Sequence, residues 1–425
     1  PNHACTEVHY KWGDYSADTF NTQHNITIDG DMKFGAFNVN AGDELDLNTQ
    51  RVEFTGAFDL NSSTSALKMN DAMAVFTNTI DFNGRVPTSN TGTTIIHNPP
   101  SASEKLITSL YFGGTFFAQG AESEVNGYAW GGSSGEYPAK IFVGGMLDCQ
   151  QSVTTGHWQV AAPTSDADVG GELRGNDRVL TAEGDFTTSG GLIGKSALDF
   201  NAASNPYVDL ENNAAWQFGT NNFTLEAWFR SDTNTGLNRT IIANGDASDN
   251  GFLLYMQGGG NIKFFINNIA VANAVGPYEN DDTWHHVAAV RDGNDYLLYI
   301  DGKLMDKSTQ SAQNLTHAGK ASIGARDLSA SVDAFFDGQI AMVRVFKGAS
   351  GGARTQSEIR ADMFNDSANL ADSTDLMCAY DFNEGSGTSL DNIQGNTNFD
   401  GTITNATWVG GGTFTYGTST LKMTG

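Results

Sequence analysis

The sequence predicts an all-β protein: a repetitive short-strand region, solenoid- or fibre-like, in the N-terminal part, followed by an antiparallel β-sandwich. Three observations carry this reading. Apolar-x-apolar triplets recur from residue 21 onward, separated by Gly, Asn or Asp, which is the period of a strand and not of a helix. Asp-Gly pairs sit between short apolar runs further along, the strongest local signal for a hairpin. Helix-favouring residues are scarce, while the 425 residues include 49 Gly and abundant Asn, Thr and Ser, the chemistry of turns.

Residues 1–20 show no clear period and hold Tyr10, Trp12 and Tyr15. They read as the end of an earlier module. The repetitive β region spans 21–100. Its triplets include Ile26-Thr27-Ile28, Phe37-Asn38-Val39, Leu45-Asp46-Leu47, Val52-Glu53-Phe54 and Phe58-Asp59-Leu60. Triplets every six to ten residues suit very short strands stacked on one another. Thr88 to Pro100 is rich in turn residues and reads as a boundary. Residues 101–190 read as a second β region and linker. Two strand-like runs there flank a Gly-rich loop with Tyr128, Trp130 and Tyr137, and the polar stretch 161–185 reads as the connection onward.

One repeat stands out. Ala57 to Met69 is similar to Thr413 to Met423, and Gly184 to Gly190 echoes its first half. One unit thus precedes residues 191–411 and begins again at 412–425, the pattern of a globular domain set within a repetitive stalk. The chain reads as a piece of a longer polypeptide.

Within 191–411 the organising stretch is Thr283 to Lys303. Two apolar runs flank Arg291-Asp292-Gly293-Asn294-Asp295, and Asp301-Gly302 closes the far end. This W-H-H-V-A-x-V-R-D-G…L-Y-I-D-G-K text resembles the signature hairpin of laminin-G-like, concanavalin A-like jelly-roll domains. Ser196 to Phe200 with Tyr207 to Leu210, then Phe223 to Phe229, then Phe336 to Phe346 resemble the same family in the expected order. Met377 to Asp400 resembles its YxFxEGSGT element, and Trp408 is expected to close the core. The resemblance implies fold more than ligand. The only convincing helix is Thr355 to Phe364, where Thr355 and Glu358 make a capping box and Ile359 pairs with Met363.

Composition narrows the function. The formal charge is −26, from 49 acidic against 23 basic residues, and the acids are scattered through turns. Such a surface repels nucleic acid and anionic membrane. No apolar run approaches the length of a membrane span, so no membrane insertion is expected. Cys5, Cys149 and Cys378 allow at most one bridge, and free buried thiols are expected.

An enzyme needs a constellation, and none is legible. The E-x-D-x-x-E run of related jelly-roll glucanases is absent: Phe223 to Arg230 offers only Glu226, and Phe336 to Phe346 only Asp337. His285 and His286 are adjacent and point to opposite faces of a strand, one packed and one exposed, a structural pair. Calcium is the expected cofactor, with Asp391, Asn392, Gln394, Asn396, Asn398 and Asp400 as ligands, because a turning loop dense in side-chain oxygens suits that ion. The family's corresponding loop holds a cation in some members, yet here it is longer by Ile393-Gln394. An Asx-turn loop without an ion is the open alternative. The loop from Asn244 to Asn250 is a weaker second candidate. Sugar-stacking platforms are sought among Tyr255, Tyr278, Trp216, Trp284, Tyr128, Trp130 and Tyr137, with Trp228 and Trp284 expected in the core.

The expected function is non-enzymatic. The chain reads as a virion surface or fibre component, extracellular, whose jelly roll binds host surface glycan or a neighbouring virion protein. A homo-oligomer, a trimer for preference, is expected. A bacterial cell-surface adhesin is the alternative, and a polysaccharide-degrading enzyme with a carbohydrate-binding domain the second.

Overall fold

The computed structural model describes the chain except for residues 1–6, 11–12, 84–86, 90–91, 100–104, 108–111, 121–122, 126–137, 156, 162–171, 177, 189, 211–213, 232–235, 246–250, 268, 280, 282, 318–319, 329–330, 350, 411–412, 416–419 and 424–425. It divides into two units: residues 1–188 with 412–425, and residues 189–411.

The first unit is a parallel β-solenoid. Each triplet of the sequence becomes one short strand, and strands pair in register with the coil before and the coil after. One face runs from Arg51–Phe54 through Met73–Phe76, Thr94–His97, Thr115–Ala118, Lys140–Val143 and His157–Val160 to Phe186–Thr188. A second runs from Phe58–Leu60 through Ile80–Asp81, Lys105–Ile107, Ser123–Val125 and Met146–Cys149 to Glu172–Arg174. A third holds Asn25–Ile28, Glu44–Asp46 and Ala66–Asn70, then, lower down, Val153–Thr155 and Val179–Ala182. The long strand Met32–Val39 bends across the first two faces, pairing with Arg51–Phe54 by one half and Phe58–Leu60 by the other.

In-register stacking places like side chains above one another, one strand spacing apart. Phe34, Phe54 and Phe76 therefore form an internal file with ring centroids 5.9 and 5.0 Å apart. Phe20, Phe37 and Phe58 form a second, at 5.7 and 6.2 Å. On the outside Asn38 donates to Asn21 across 2.8 Å and Asn61 to Asn40 across 3.2 Å.

Three expectations change here. Glu7–Tyr10 and Gly13–Asn21 are strands of the same stack, pairing with Asn25–Ile28 and Met32–Val39, so the N-terminal segment is not a separate module. No break falls at Thr88 to Pro100, where Thr94–His97 pairs on both sides. The stretch 161–185 supplies two more strands, Glu172–Arg174 and Val179–Ala182. Polar composition misled because short solenoid strands bury only alternate residues.

The repeat finds a physical place. Thr413–Thr415 pairs with Glu172–Arg174, and Thr420–Met423 with Val179–Ala182, so the chain resumes the solenoid after the second unit. Ala57 to Met69 and Thr413 to Met423 occupy the same second and third faces of their coils. Phe186–Thr188 lies on the first face of the coil that Thr413–Thr415 continues. The second unit is thus an insertion within one coil.

That unit is a sandwich of two antiparallel sheets. The first orders Lys303–Thr309, Asp295–Ile300, His285–Asp292, Phe223–Arg230, Gly338–Lys347, Ala197–Phe200 and Thr407–Val409, with Leu376–Tyr380 also on Gly338–Lys347. The second orders Ile269–Ala274, Asn261–Ile266, Phe252–Gln257, Arg239–Asn244, Ala321–Ile323, Tyr207–Asp209, Gly401–Thr404 and Ser389–Leu390. The hairpin turns as its sequence demands: Gly293 takes φ +58°, while Asp301 and Gly302 take +48° and +69°. Leu225, Ala227, Phe229, Val287, Ala289, Phe252, Leu254 and Phe264 fill the space between the sheets.

The helix forms at Gln356–Asp362 with the Thr355–Glu358 capping box intact. Its Ile359 packs on Ala288, Val290 and Tyr299, covering the far face of the first sheet. Cys149 and Cys378 are free and buried. Among the described residues no helix is long and apolar enough to cross a membrane.

Candidate functional site

At one end of the sandwich three connections converge: residues 236–238, the Gly258-Gly259-Gly260 turn, and residues 275–279. Their approach is backbone against backbone, which only glycine permits. A Cβ on Gly258 would stand 2.2 Å from the Gly236 carbonyl oxygen, and one on Gly276 2.2 Å from that of Gly260. Tyr278 N donates to Gly260 O at 3.0 Å, and Gly276 N to Asn261 Oδ1 at 2.9 Å. Around this junction Leu237 and Val275 are each 67% exposed, unusual for apolar side chains on an otherwise well-buried domain.

Tyr278 belongs to the same junction, half-buried and packed against the edge of the core. Its ring meets that of His285 edge-on, with centroids 5.2 Å apart. His285 is itself fixed: Nδ1 lies 2.8 Å from Asp301 Oδ2 and Nε2 2.8 Å from Asp281 Oδ2. Two carboxylate partners require both ring nitrogens to carry protons. Burial opposes that charge, but Asp301 and Asp281 outweigh it and raise His285 to about 10. Beside it Glu279 forms a buried ion pair with Arg239, whose Nη1 also donates to Ser231 Oγ at 2.9 Å. The acids next to Tyr278 are therefore already engaged, Glu279 by arginine and Asp281 by histidine.

The predicted platforms fare differently. Tyr278 lies on this rim. Tyr255 lies on the outer face of the second sheet, packed against Phe265 with centroids 5.5 Å apart and only 7% exposed, so the two do not meet. Trp216 corrects the expectation outright: it is fully buried against Phe218 and Phe399 and has no face to offer a ligand. Trp228 and Trp284 are core, as expected. Tyr128, Trp130 and Tyr137 fall outside the described residues, as does most of the Asn244 to Asn250 loop.

The predicted calcium loop is knit by its own turns. Asn392 Oδ1 accepts from Ala379 N at 3.0 Å while its Nδ2 donates to Asn396 O at 3.2 Å. Asp400 Oδ1 accepts from Asn392 N, Asn396 Oδ1 from Asn398 N, and Asp391 Oδ1 from Ser389 Oγ. Gln394 is exposed. Asn392 thus presents a donor to the loop's interior, which a cation would have to turn round. Among the described residues no group of three His, Cys, Asp or Glu is arranged to hold a metal ion. The arrangement, as it stands, is that of an Asx-turn loop.

The histidine pair also differs from expectation. Both members are buried, His285 at 6% exposure and His286 at 0%, because the helix and its flanks cover the face where His286 points. What sequence reasoning missed is the polar layer beneath that cover: Glu226, Arg344, Arg354 and Asp362, all under 4% exposed. The capping-box helix was the available clue, since its apolar side needs a sheet to lie on.

Comparison with known proteins agrees with the sheets. Residues 202–360 match the family model of the concanavalin A-like lectin/glucanases superfamily. No curated protein matches the chain. Among solved structures, a putative carbohydrate binding protein from Bacteroides ovatus is 21% identical over 50% of this chain and 59% of its own, with a TM-score of 0.39. The CBM40 of Ruminococcus gnavus IT-sialidase is 17% identical over 39% of this chain and 96% of its own, at a TM-score of 0.33. Mouse laminin α1 domains LG4-5 are 16% identical over 36% and 41%, at 0.30. At such values these three say nothing of ligand or activity. Over residues 202–360 the inserted sandwich is thus similar to concanavalin A-like lectin/glucanase domains of the laminin-G kind.

Proposed function

We propose that this protein is a non-enzymatic surface component, a virion surface or fibre protein displayed outside the cell, whose inserted sandwich binds host glycan at the rim around Tyr278. The observation that carries the reading is the preorganisation of that tyrosine. Its backbone is tied to Gly260 and its ring rests on a histidine clamped by two carboxylates. A fixed aromatic ring on a junction that also exposes Leu237 and Val275 suits the apolar face of a sugar ring at low entropic cost. The non-catalytic reading is supported by the pairing of the neighbouring acids, which leaves neither Glu279 nor Asp281 as a ready general acid. The lectin/glucanase family match is consistent with a saccharide ligand. A bacterial adhesin would use the same rim, and differs only in where the chain is displayed. A solenoid whose strands are mostly three or four residues long favours self-association, so a homo-oligomer, a trimer for preference, belongs to this reading. Light scattering giving only the 45.3 kDa mass would count against it.

The decisive experiment is a glycan array with the whole chain, with and without chelator, against a Tyr278→Ala variant. Wild type should retain specific glycans, and the variant should bind about tenfold or more weakly, the range of a central contact residue. Loss of binding in chelator would bring the Asp391 to Asp400 loop back as a calcium site. Equal binding by the variant, or release of saccharide from a polymer, would overturn the reading.

A further inference from the structure

The face of the first sheet turned away from the sandwich core carries a buried cluster of polar side chains. Glu226 lies directly across from Arg344 on the next strand and diagonally from His286 on the other side, since Trp228 is the residue opposite His286. The helix segment covers the cluster from above, bringing Arg354 and Asp362. The surrounding groups make hydrogen bonds of their own. Arg344 donates to Ser367 Oγ at 2.8 Å and to the carbonyls of Asp362 and Asn365. Arg354 donates to Asp372 O at 2.7 Å and to Asp362 Oδ2 at 2.5 Å. Asp381 accepts from Ser367 N at 2.8 Å.

The centre is not satisfied. Both carboxylate oxygens of Glu226, both ring nitrogens of His286 and Nε of Arg354 are sealed from solvent without a hydrogen-bond partner. The gaps separating them are 3.4 Å from Glu226 to Arg354 Nε, 3.7 Å to Arg344 Nη1 and 3.9 Å to His286 Nε2. The two wider gaps exceed a hydrogen bond, and the 3.4 Å approach does not make one either. Leaving a buried carboxylate bare carries the full penalty of its desolvation. Atoms 3.7–3.9 Å apart can share one small molecule that sits within about 2.8 Å of each. Two guanidinium groups argue against a cation there, and Glu226, Asp362 and Asp381 against an anion. A neutral molecule able both to donate and to accept remains.

We propose that an internal water molecule sits between Glu226, His286 and Arg354 and joins the helix segment to the sheet. It donates to the Glu226 carboxylate and accepts from Arg354 Nε or from the protonated nitrogen of His286. It is the polar counterpart of the apolar seat that Ile359 makes on Ala288, Val290 and Tyr299. The site is distinct from the rim around Tyr278 and does not depend on any ligand there.

A crystal structure of the whole chain, at a resolution that shows ordered solvent, tests this on the wild type. The expected result is a density peak within hydrogen-bond reach of both Glu226 and His286. Glu226 bonded directly to His286 or Arg354, with no peak between them, would overturn it. In solution, oxygen-17 relaxation dispersion counts long-lived buried waters, and Glu226→Met should lose one relative to wild type. An unchanged count in a folded Glu226→Met protein would also overturn it. If that variant does not fold, the wild-type density decides alone.

Discussion

His285 and His286 are neighbours in the chain in different protonation states, the first charged and the second neutral. His285 is raised to about 10 because Asp301 and Asp281 outweigh its burial. His286 is pushed down to about 3, first by burial and then by Arg344. The consequences for stability have opposite signs. A raised histidine contributes stability that is complete below its ordinary 6.5 and is lost as pH climbs from there towards 10. A lowered one contributes nothing to lose above 6.5 but costs stability as pH falls towards 3, because only the unfolded chain takes up the proton. Thermal melts should show both limbs, and His285→Gln should flatten the alkaline one while leaving the acid one in place. An alkaline limb of the same steepness in that variant would refute the clamp. The sequence revealed that the two rings point apart, since strand neighbours alternate. It did not reveal that both are buried, because the covering layer comes from residues some seventy positions further on.

Strands were legible wherever their own residues decided them. The period-2 triplets of the solenoid needed only local alternation, and the capping box at Thr355 needed only two side chains three apart. The internal phenylalanine files follow from those triplets once coils stack in register. Phe54 has rings on both sides, Phe34 at 5.9 Å and Phe76 at 5.0 Å, and is fully buried. Phe54→Ala should therefore lower the stability of the solenoid unit by about 3–5 kcal/mol, the usual cost of a large core truncation. Urea unfolding followed by the solenoid's own transition measures it, and a loss under about 1 kcal/mol would mean the coils do not stack this way. The rim was not legible in the same sense. Tyr278 could be named as an aromatic outside the obvious core, but the meeting of Gly236, Gly258, Gly260 and Gly276 joins four positions from three connections. Trp216 shows the converse failure: a tryptophan in a polar neighbourhood of sequence turned out to be core, brought there by Phe218 and Phe399.

At the level of the molecule, the repeat at Ala57 and Thr413 was the most informative text, because it revealed an insertion before any strand was placed. The structure locates the join between Phe186–Thr188 on the first face and Thr413–Thr415 on the second. In an earlier coil the same two faces, Arg51–Phe54 and Phe58–Leu60, are linked by only three residues. Replacing residues 189–411 with a turn of that length should leave a folded solenoid, seen as a retained β-type circular dichroism spectrum and a cooperative melt. Collapse of the shortened chain would show that the inserted sandwich is needed for the stack.

The join also sets an order of events during synthesis. Coils above it close from contiguous chain as each leaves the ribosome. The one interrupted at Thr188 cannot close until the whole sandwich has been made and has brought its two ends together. Until then the stack ends in a bare edge, the part of the nascent protein most open to wrong pairing with another copy.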